Sequence, residues 1–369
     1  MTGVLVHEWL APRGGSENVF ESLAATFPDA RRYCLWNDSA GRFTTDGETW
    51  LARTPLRRHK AAALPLMPLA WRRLPEVDAD WVLTSSHLFA HHARFRGAAA
   101  RAPKLVYAHT PARYIWNPEL DGRGQNLPAR AVSLALQPLD RHRAQEPVAI
   151  AANSRFVADR IARFWDREST VIHPPVDVAR FRGEPLLGDE DQRVLDALPL
   201  DFLLGFSRFI AYKRLERVIE AGAAADLPVV LAGAGPEQER LRAVADALHP
   251  GRVHFVASPR GALAHALLDR ALALVFPAIE DFGIVPVEAM AAGTPVIASA
   301  IGGTAETVIH GETGALVEGW SRRELRNAVA TAAAVSAEAC RTRADAFATP
   351  VFTARIRSWV AEHTGEAAS

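Results

Sequence analysis

The sequence predicts an α/β protein made of two doubly wound, Rossmann-like domains, and three observations carry that expectation. Short apolar runs with the length of buried strands recur from Val4-Leu5-Val6 to Val296-Ile297-Ala298, and helical spacings of apolar residues follow many of them. At 369 residues the chain exceeds the size at which one core usually keeps growing. Near the middle, Pro174-Pro175 and the polar stretch from Gly183 to Gln192 break the pattern as a stiff linker would. With the break placed near residue 180, the first domain covers 1–180, the second 181–348, and a helical tail 349–369.

Composition narrows the function. The 42 basic residues balance the 42 acidic ones, which argues against nucleic acid as the main partner. Cys34 and Cys340 are too few for a disulfide framework or a cysteine zinc site, and they fit a reducing cytoplasm. The N-terminus runs straight into Val4 without a basic segment and long apolar core, and no run of about eighteen apolar residues occurs. The expectation is a cytoplasmic chain.

In chain order, Val4-Leu5-Val6 leads through Pro12-Arg-Gly-Gly-Ser-Glu17 into a helical spacing of Val19, Phe20, Leu23, Ala24 and Phe27. Gly14 and Gly15 are read as a turn with positive φ open to a ligand, and Ser16 as a candidate N-cap. The third glycine of a dinucleotide fingerprint is missing. Arg53, Arg57, Arg58, Lys60, Arg72 and Arg73 surround Leu64 to Trp71, a mixture suited to peripheral contact with the inner face of a membrane or to plain packing on the domain. Trp81-Val-Leu-Thr is a strand, and His87, His91 and His92 after it suggest a metal by spacing alone. With no acidic or cysteine partner near them in sequence, they are read as core or solvated residues, and no metal is expected.

Lys104 to Ala108 is another strand, and His109-Thr-Pro-Ala-Arg-Tyr-Ile-Trp116 lies at its carboxyl end. His109 can bond a sugar hydroxyl or shuttle a proton there, while Arg113, Tyr114 and Trp116 offer a cation and a stacking surface. Val148 to Ala152 gives a further strand. In the second half, Phe202 to Phe206 is a strand followed by Arg208 and Lys213, which flank one loop and can both reach one diphosphate. Val229 to Gly235 and Arg252 to Ala257 continue the sheet.

The densest stretch follows. Ala271 to Phe276 reads as a buried strand, and a loop carries Glu280, Asp281, Phe282 and Gly283 to Pro286, placed at the first position of a helix with Glu288 in its first turn. N–H groups at Phe282, Gly283 and Ile284 together with the helix dipole suit a phosphate, and a carboxylate nearby can accept both hydrogens of a ribose diol. A nucleotide sugar has all of these parts.

The array Glu280-x7-Glu288 with Phe282-Gly283 inside it, then Glu288-Ala-Met-Ala-Ala-Gly-Thr-Pro-Val-Ile, Gly302-Gly303-Thr-Ala-Glu306 and Gly314-Ala-Leu-Val317, closely resembles the retaining glycosyltransferases of family 4. The resemblance implies the GT-B fold, two Rossmann-like domains facing an interdomain cleft, with the donor held mainly by the second domain and the acceptor by the first. It also implies that no cofactor or metal is needed and that the last helix, Val351 to Trp359, crosses back to the first domain. By the same resemblance Gly14 and Gly15 face the donor phosphates, His109 contacts the hexose, Arg208 and Lys213 hold the pyrophosphate, and backbone groups around Val256 hold the base. Glu280 would hold the transferred sugar and Glu288 the ribose. The form His109-Thr-Pro-Ala-Arg-Tyr114 is similar to that of bacterial mannosyltransferase-type members, which points to GDP-mannose. A UDP- or dTDP-sugar-dependent enzyme of the same fold, a nucleotide-sugar epimerase or hydrolase, and a non-catalytic binding scaffold are the alternatives.

Overall fold

A computed structural model describes residues 2–116 and 127–365. The chain divides into two compact units, one formed by residues 1–175 with 350–369 and the other by 176–349. The division falls a few residues before the expected break near 180. Val176 already donates its N–H to Phe347 O at 2.9 Å, and Val178 and Phe181 lie in the second unit's core.

The first unit is built on β1 (Gly3–His7), β2 (Arg31–Cys34), β3 (Gly47–Glu48), β4 (Trp81–Ser86), β5 (Lys104–Ala108), β6 (Ala149–Ala152) and β7 (Thr170–Val171). They form one parallel sheet in the order β3-β2-β1-β4-β5-β6-β7. Parallel strands are covered on both faces, which is why these segments read as unbroken apolar runs rather than alternations. On one face the helix Gly15–Thr26 lays down Val19, Phe20 and Leu23. Beside it the helix Thr349–Thr364 adds Phe352, Ile356, Trp359 and Val360 against Leu83 and Tyr107. On the other face Met67, Trp71 and Phe89 fill the core. The basic segment is therefore a set of short helical turns whose Met67 and Trp71 are consumed by packing, while Arg53, Arg58 and Arg73 stay exposed.

The second unit repeats the plan with β8 (Leu203–Phe206), β9 (Val229–Gly233), β10 (Val253–Ala257), β11 (Ala273–Phe276), β12 (Val296–Ser299) and β13 (Gly314–Val317), parallel in the order β10-β9-β8-β11-β12-β13. The strand order reverses between β1 and β4 in the first sheet and between β8 and β11 in the second. At such switch points the loops leaving the carboxyl ends diverge to opposite faces, and the crevice they leave is where open α/β sheets bind ligands. The carboxyl ends at these two points carry His7, Ser85 and Ser86 in one unit and the loops to Arg208 and Glu280 in the other.

Among the described residues, no helix is long and apolar enough to cross a membrane.

Candidate active site

In the second unit the loop after β8 is pressed into place by glycines of the neighbouring strand. A Cβ on Gly233 (φ +149°) would lie 1.8 Å from Ser207 O, and one on Gly235 (φ +158°) would lie 2.3 Å from Phe209 O. Only glycine lets the two backbones approach so closely. The loop so fixed carries Arg208, whose side chain is exposed, and then turns through Ala211–Lys213 to bury Lys213. The Lys213 ammonium is ion-paired with Glu280, 67 residues away, and lies 5.5 Å from the centroid of Phe276 and 5.3 Å from that of Tyr212. Two residues singled out separately in the sequence thus converge at the β8–β11 switch point.

The loop after β11 is braced in turn by Gly302-Gly303. Gly303 N–H donates to Glu280 O at 2.8 Å, and a Cβ on Gly303 would stand 2.1 Å from Asp281 O. Gly283, at φ +91°, caps the helix Ile284–Ala292, while the Phe282 ring is buried beside Phe347 at 5.5 Å. Here the sequence expectation needs correction. The helix starts at Ile284 rather than Pro286, so Pro286 is its third residue and Glu288 its fifth, two residues deeper than expected and past the first turn. Proline is still tolerated in a first turn, where its missing N–H has no intrahelical partner to lose. The deeper position changes the chemistry of Glu288: burial pushes its carboxyl up to about 7, with Arg180 pulling it down and Asp177 adding to the rise. Arg180, in the turn Val178–Phe181, was missed by the sequence reading because it sits 108 positions from Glu288. Thr304 Oγ1 is buried close to Gly283 and has no hydrogen-bond partner among the described residues. Val256 is a buried residue of the edge strand β10.

In the first unit His109 follows β5 directly. Its N–H bonds Ser86 O at 2.8 Å, and its Nε2 lies 2.8 Å from Ser85 Oγ, which is also 3.0 Å from His7 Nδ1. A serine hydroxyl holds one proton, so between two neutral imidazoles it donates to one and accepts from the other. Both rings are neutral near pH 7: burial takes His109 down to about 4, and burial reinforced by His87 and His109 takes His7 well below its ordinary value. His109 is therefore a neutral hydrogen-bonding group rather than a cation. Neighbouring Glu8 accepts N–H bonds from Leu88 at 2.9 Å and Ala90 at 2.6 Å, yet burial still lifts its carboxyl to about 7. His7, Glu8 and Ser85 escaped the sequence reading, although their place at strand carboxyl ends was a signal.

His91 and His92 do have an acidic partner, contrary to the sequence expectation. Asp140, in the helix Leu127–Arg143, puts Oδ1 3.1 Å from His92 Nε2 and 3.2 Å from His91 Nε2. These three side chains are buried and bring potential ligand atoms within 4.8 Å of one another. Asp140 Oδ2 meanwhile accepts from Trp116 Nε1 at 2.7 Å and Trp165 Nε1 at 2.8 Å. With donors on both oxygens the carboxylate is satisfied as a hydrogen-bonding hub; burial would raise it, but His91 and His92 hold it well below the ordinary carboxylate range. His87 stands apart, edge-on to Trp9 at 5.0 Å.

Trp116 consequently works as an anchor, its ring also stacked on Phe164 at 5.0 Å, which leaves Arg113 and Tyr114 as the acceptor-side candidates. Ser133 and Gln137 bond the carbonyls of Tyr114 and Ile115 at 2.9 Å and hold that short helix in place. The Gly14-Gly15 turn also differs from expectation. Neither glycine is in the left-handed region, Gly14 being extended at φ 166°; the helix begins at Gly15, and Ser16 lies inside it, bonded to Glu17 Oε2 at 2.9 Å. What excludes a side chain at Gly14 is the carboxylate of Glu17, 1.9 Å from where its Cβ would be.

Comparison with known proteins agrees with this geometry. Residues 13–180 match the model described as Glycosyltransferase Family 4, and residues 192–345 the model described as Glycosyl transferases group 1. Over 110 residues the chain is 44% identical to D-rhamnosyltransferase WbpZ of Pseudomonas aeruginosa, covering 29% of each protein. Over 187 residues it is 31% identical to the GDP-mannose-dependent α-(1-6)-phosphatidylinositol monomannoside mannosyltransferase of Mycolicibacterium smegmatis, covering 45% of this chain and 48% of that one. The chain thus matches less than half the length of these curated relatives. HepE of Anabaena, crystallised in complex with UDP, shares the fold with a TM-score of 0.68 at 19% identity, over 97% of this chain and 100% of that one. The two family models fall one on each unit, and the chain belongs to the family 4 glycosyltransferases of the GT-B fold.

Proposed function

We propose that the chain transfers a hexosyl group, specifically mannosyl from GDP-mannose, to a hydroxyl of a glycan, lipid-linked or small glycosylated acceptor, with retention at the anomeric carbon. The observation that carries the transferase reading is the convergence of Lys213 and Glu280 at the β8–β11 switch point, beside a glycine-capped helix start. Breaking the bond from the anomeric carbon to the diphosphate leaves negative charge on the phosphate. Arg208, Lys213 and the N–H groups at Gly283 and Ile284 stabilise that charge. The acceptor oxygen attacks from the same face, and its proton passes to the departing phosphate oxygen. Glu280, released from Lys213 when the diphosphate takes its place, holds the sugar. In this scheme the cations of the chain do the neutralising, and no metal is required.

The mannosyl assignment draws on the His109-Thr-Pro-Ala-Arg-Tyr114 form and on the relatives' names, since D-rhamnose is 6-deoxy-D-mannose. The test is donor consumption with and without acceptor, in the presence of a chelator, alongside melting curves with GDP and UDP. GDP at about a hundredfold over its dissociation constant should add roughly 2.7 kcal/mol of stability, and GDP-mannose should be consumed only with acceptor. Consumption without acceptor means a hydrolase or epimerase, and a shift by UDP alone overturns the GDP assignment. A neutral His109 bonding the terminal hydroxyl is worth about 0.5–1.5 kcal/mol, or roughly three- to tenfold in rate. His109→Ala should therefore slow mannosyl transfer by that factor and 6-deoxy-mannosyl transfer less; equal losses would remove the histidine from this role. Peripheral contact of Arg53 to Arg73 with a membrane's inner face, in the cytoplasm, fits a lipid-linked acceptor, and sedimentation with anionic vesicles would show it.

Glu288 as the ribose ligand makes a pH prediction. The ionised carboxylate accepts both diol hydrogens and the protonated one cannot, so nucleotide affinity should rise as pH rises through about 7. Ligand-free stability should move the other way: a carboxyl whose folded pKa is raised stabilises below its unfolded value and loses that contribution as pH climbs through about 7. Glu288→Gln should flatten the affinity profile, reduce the stability slope to the part that Glu8 contributes, and weaken ribonucleotide binding more than 2′-deoxynucleotide binding. Calorimetric titration across that pH range decides it, and an unchanged slope in the variant would assign the ionisation to another group.

A further inference from the structure

The first unit has a concavity of about 450 Å³ at the amino edge of its sheet and so opposite His109. It opens off the starts of β4 and β5, with Val82 and Phe95 among its apolar lining. Arg72, Arg94, Arg101 and Lys104 line it against a single carboxylate, Glu146. Glu146 is already saturated: Arg72, Lys104 and Arg143 each reach it at 2.8 Å. In a chain whose charges balance overall, positive charge accumulates here, with no second carboxylate among the described residues of the lining. Burial takes the Lys104 ammonium down to about 8 even with Glu146 beside it, and the neighbouring Arg72 and Arg143 also lower it.

The two remaining cations are placed rather than loose. Arg94 N–H bonds Trp71 O at 3.0 Å, Arg96 N–H bonds Pro75 O at 3.1 Å, and Ala99 N–H bonds Val77 O at 3.0 Å. Between them Gly97, at φ +73°, makes a turn in which a Cβ would approach Glu76 Cγ to 2.7 Å. The backbone carrying Arg94 and Arg101 is therefore pinned at several points, while neither guanidinium has a hydrogen bond or ion pair among the described residues. Below them Lys104 is fixed by His91 O at 2.9 Å and Ala93 O at 3.3 Å.

We propose that this basic concavity is an accessory binding site for a phosphate ester, with Arg94 and Arg101 closing on the phosphate from above and Arg72 and Lys104 supplying charge from the floor. Guanidinium forks on an ordered backbone match phosphate oxygens in pairs. The volume leaves room for more than the phosphate itself, and the apolar lining suits the carbon frame of a sugar phosphate or the glycerol of a lipid headgroup. This site does not depend on the proposed transfer reaction, because it lies at the other end of the strands.

The test compares the full chain with an Arg94→Ala, Arg101→Ala variant in calorimetric titrations with pyrophosphate and in sedimentation with phosphatidylglycerol or phosphatidylcholine vesicles. The second unit is the same in both proteins, so its own phosphate affinity cancels from the difference. Both arginines are exposed, and an unchanged melting temperature would establish that the variant is folded. The expected result is at least a tenfold loss of pyrophosphate affinity at one class of site, steeper at low salt. A soluble phosphate ester is indicated if only the pyrophosphate signal changes, and a lipid headgroup if binding to the anionic vesicles is lost as well. Identical titrations and identical vesicle binding for the two proteins would overturn the proposal.

Discussion

Replacing Lys213 with alanine is expected to lower the turnover number by about a hundredfold or more, the scale for losing one preorganised donor at a developing charge. The structure sharpens the reason. Lys213 is buried beside the rings of Phe276 and Tyr212, and its partner is Glu280, so the ammonium is held where water competes poorly. Alanine removes the cation and also leaves Glu280 facing the incoming diphosphate with no counter-charge, and the two effects act in the same direction. Lys213→Ala combined with Glu280→Gln separates them: the second change should recover donor binding without recovering turnover. Turnover is measured at saturating acceptor on protein with an unchanged melting temperature. Near-normal turnover in the single variant would take Lys213 out of the reaction.

The largest effect on stability should come from Asp140→Ala, which is expected to cost the first unit about 3–5 kcal/mol, because several buried neutral donors are left unsatisfied at about 1–3 kcal/mol each. Two indole N–H groups at 2.7 and 2.8 Å and the imidazole of His92 at 3.1 Å would lose their common acceptor, and His91 its neighbouring carboxylate, in a site closed to water. Trp116→Phe removes a single donor and should cost only about 0.5–1.5 kcal/mol. Urea unfolding followed by tryptophan fluorescence reports on the hub, since Trp116 and Trp165 belong to it. Asp140's folded pKa is depressed, so the contribution it makes is present above the ordinary aspartate value and lost as the pH falls. A loss below about 1 kcal/mol for Asp140→Ala would mean that the hub relaxes at little cost. Chelation should leave the melting temperature unchanged, whereas a fall would convert the hub into a metal site.

What could be read from the sequence was whatever is local in it. Strands buried on both faces announce themselves as apolar runs, and the residues just past their carboxyl ends are the ones a parallel sheet offers to ligands, which is how His109, Arg208 and Glu280 were found. Pairings over long separations were not legible. Lys213 meets Glu280 across 67 residues, His92 meets Asp140 across 48, and Glu8 takes its N–H donors from residues 80 and 82 positions away. No periodicity encodes such meetings; they follow from strand order. The misplaced helix start has a different cause. Pro286 suits several positions of a first turn, and the deciding feature was the positive φ of Gly283, which a sequence permits but does not dictate.

The return of the helix Thr349–Thr364 to the first sheet bears on how the protein comes into being on the ribosome. The second unit is contiguous and can close as soon as residue 349 clears the exit tunnel. The first unit, although its sheet is made earlier, lacks Phe352, Ile356, Trp359 and Val360 until the whole second unit has been synthesised. At about 5–20 residues per second, those roughly 185 intervening residues take on the order of 10–40 s to add. For that interval Leu83 and Tyr107, both fully buried in the finished protein, have no cover from this helix. Vectorial synthesis thus reverses the usual order of completion: the domain begun first is finished last, and its unfinished face is what a holding chaperone would meet.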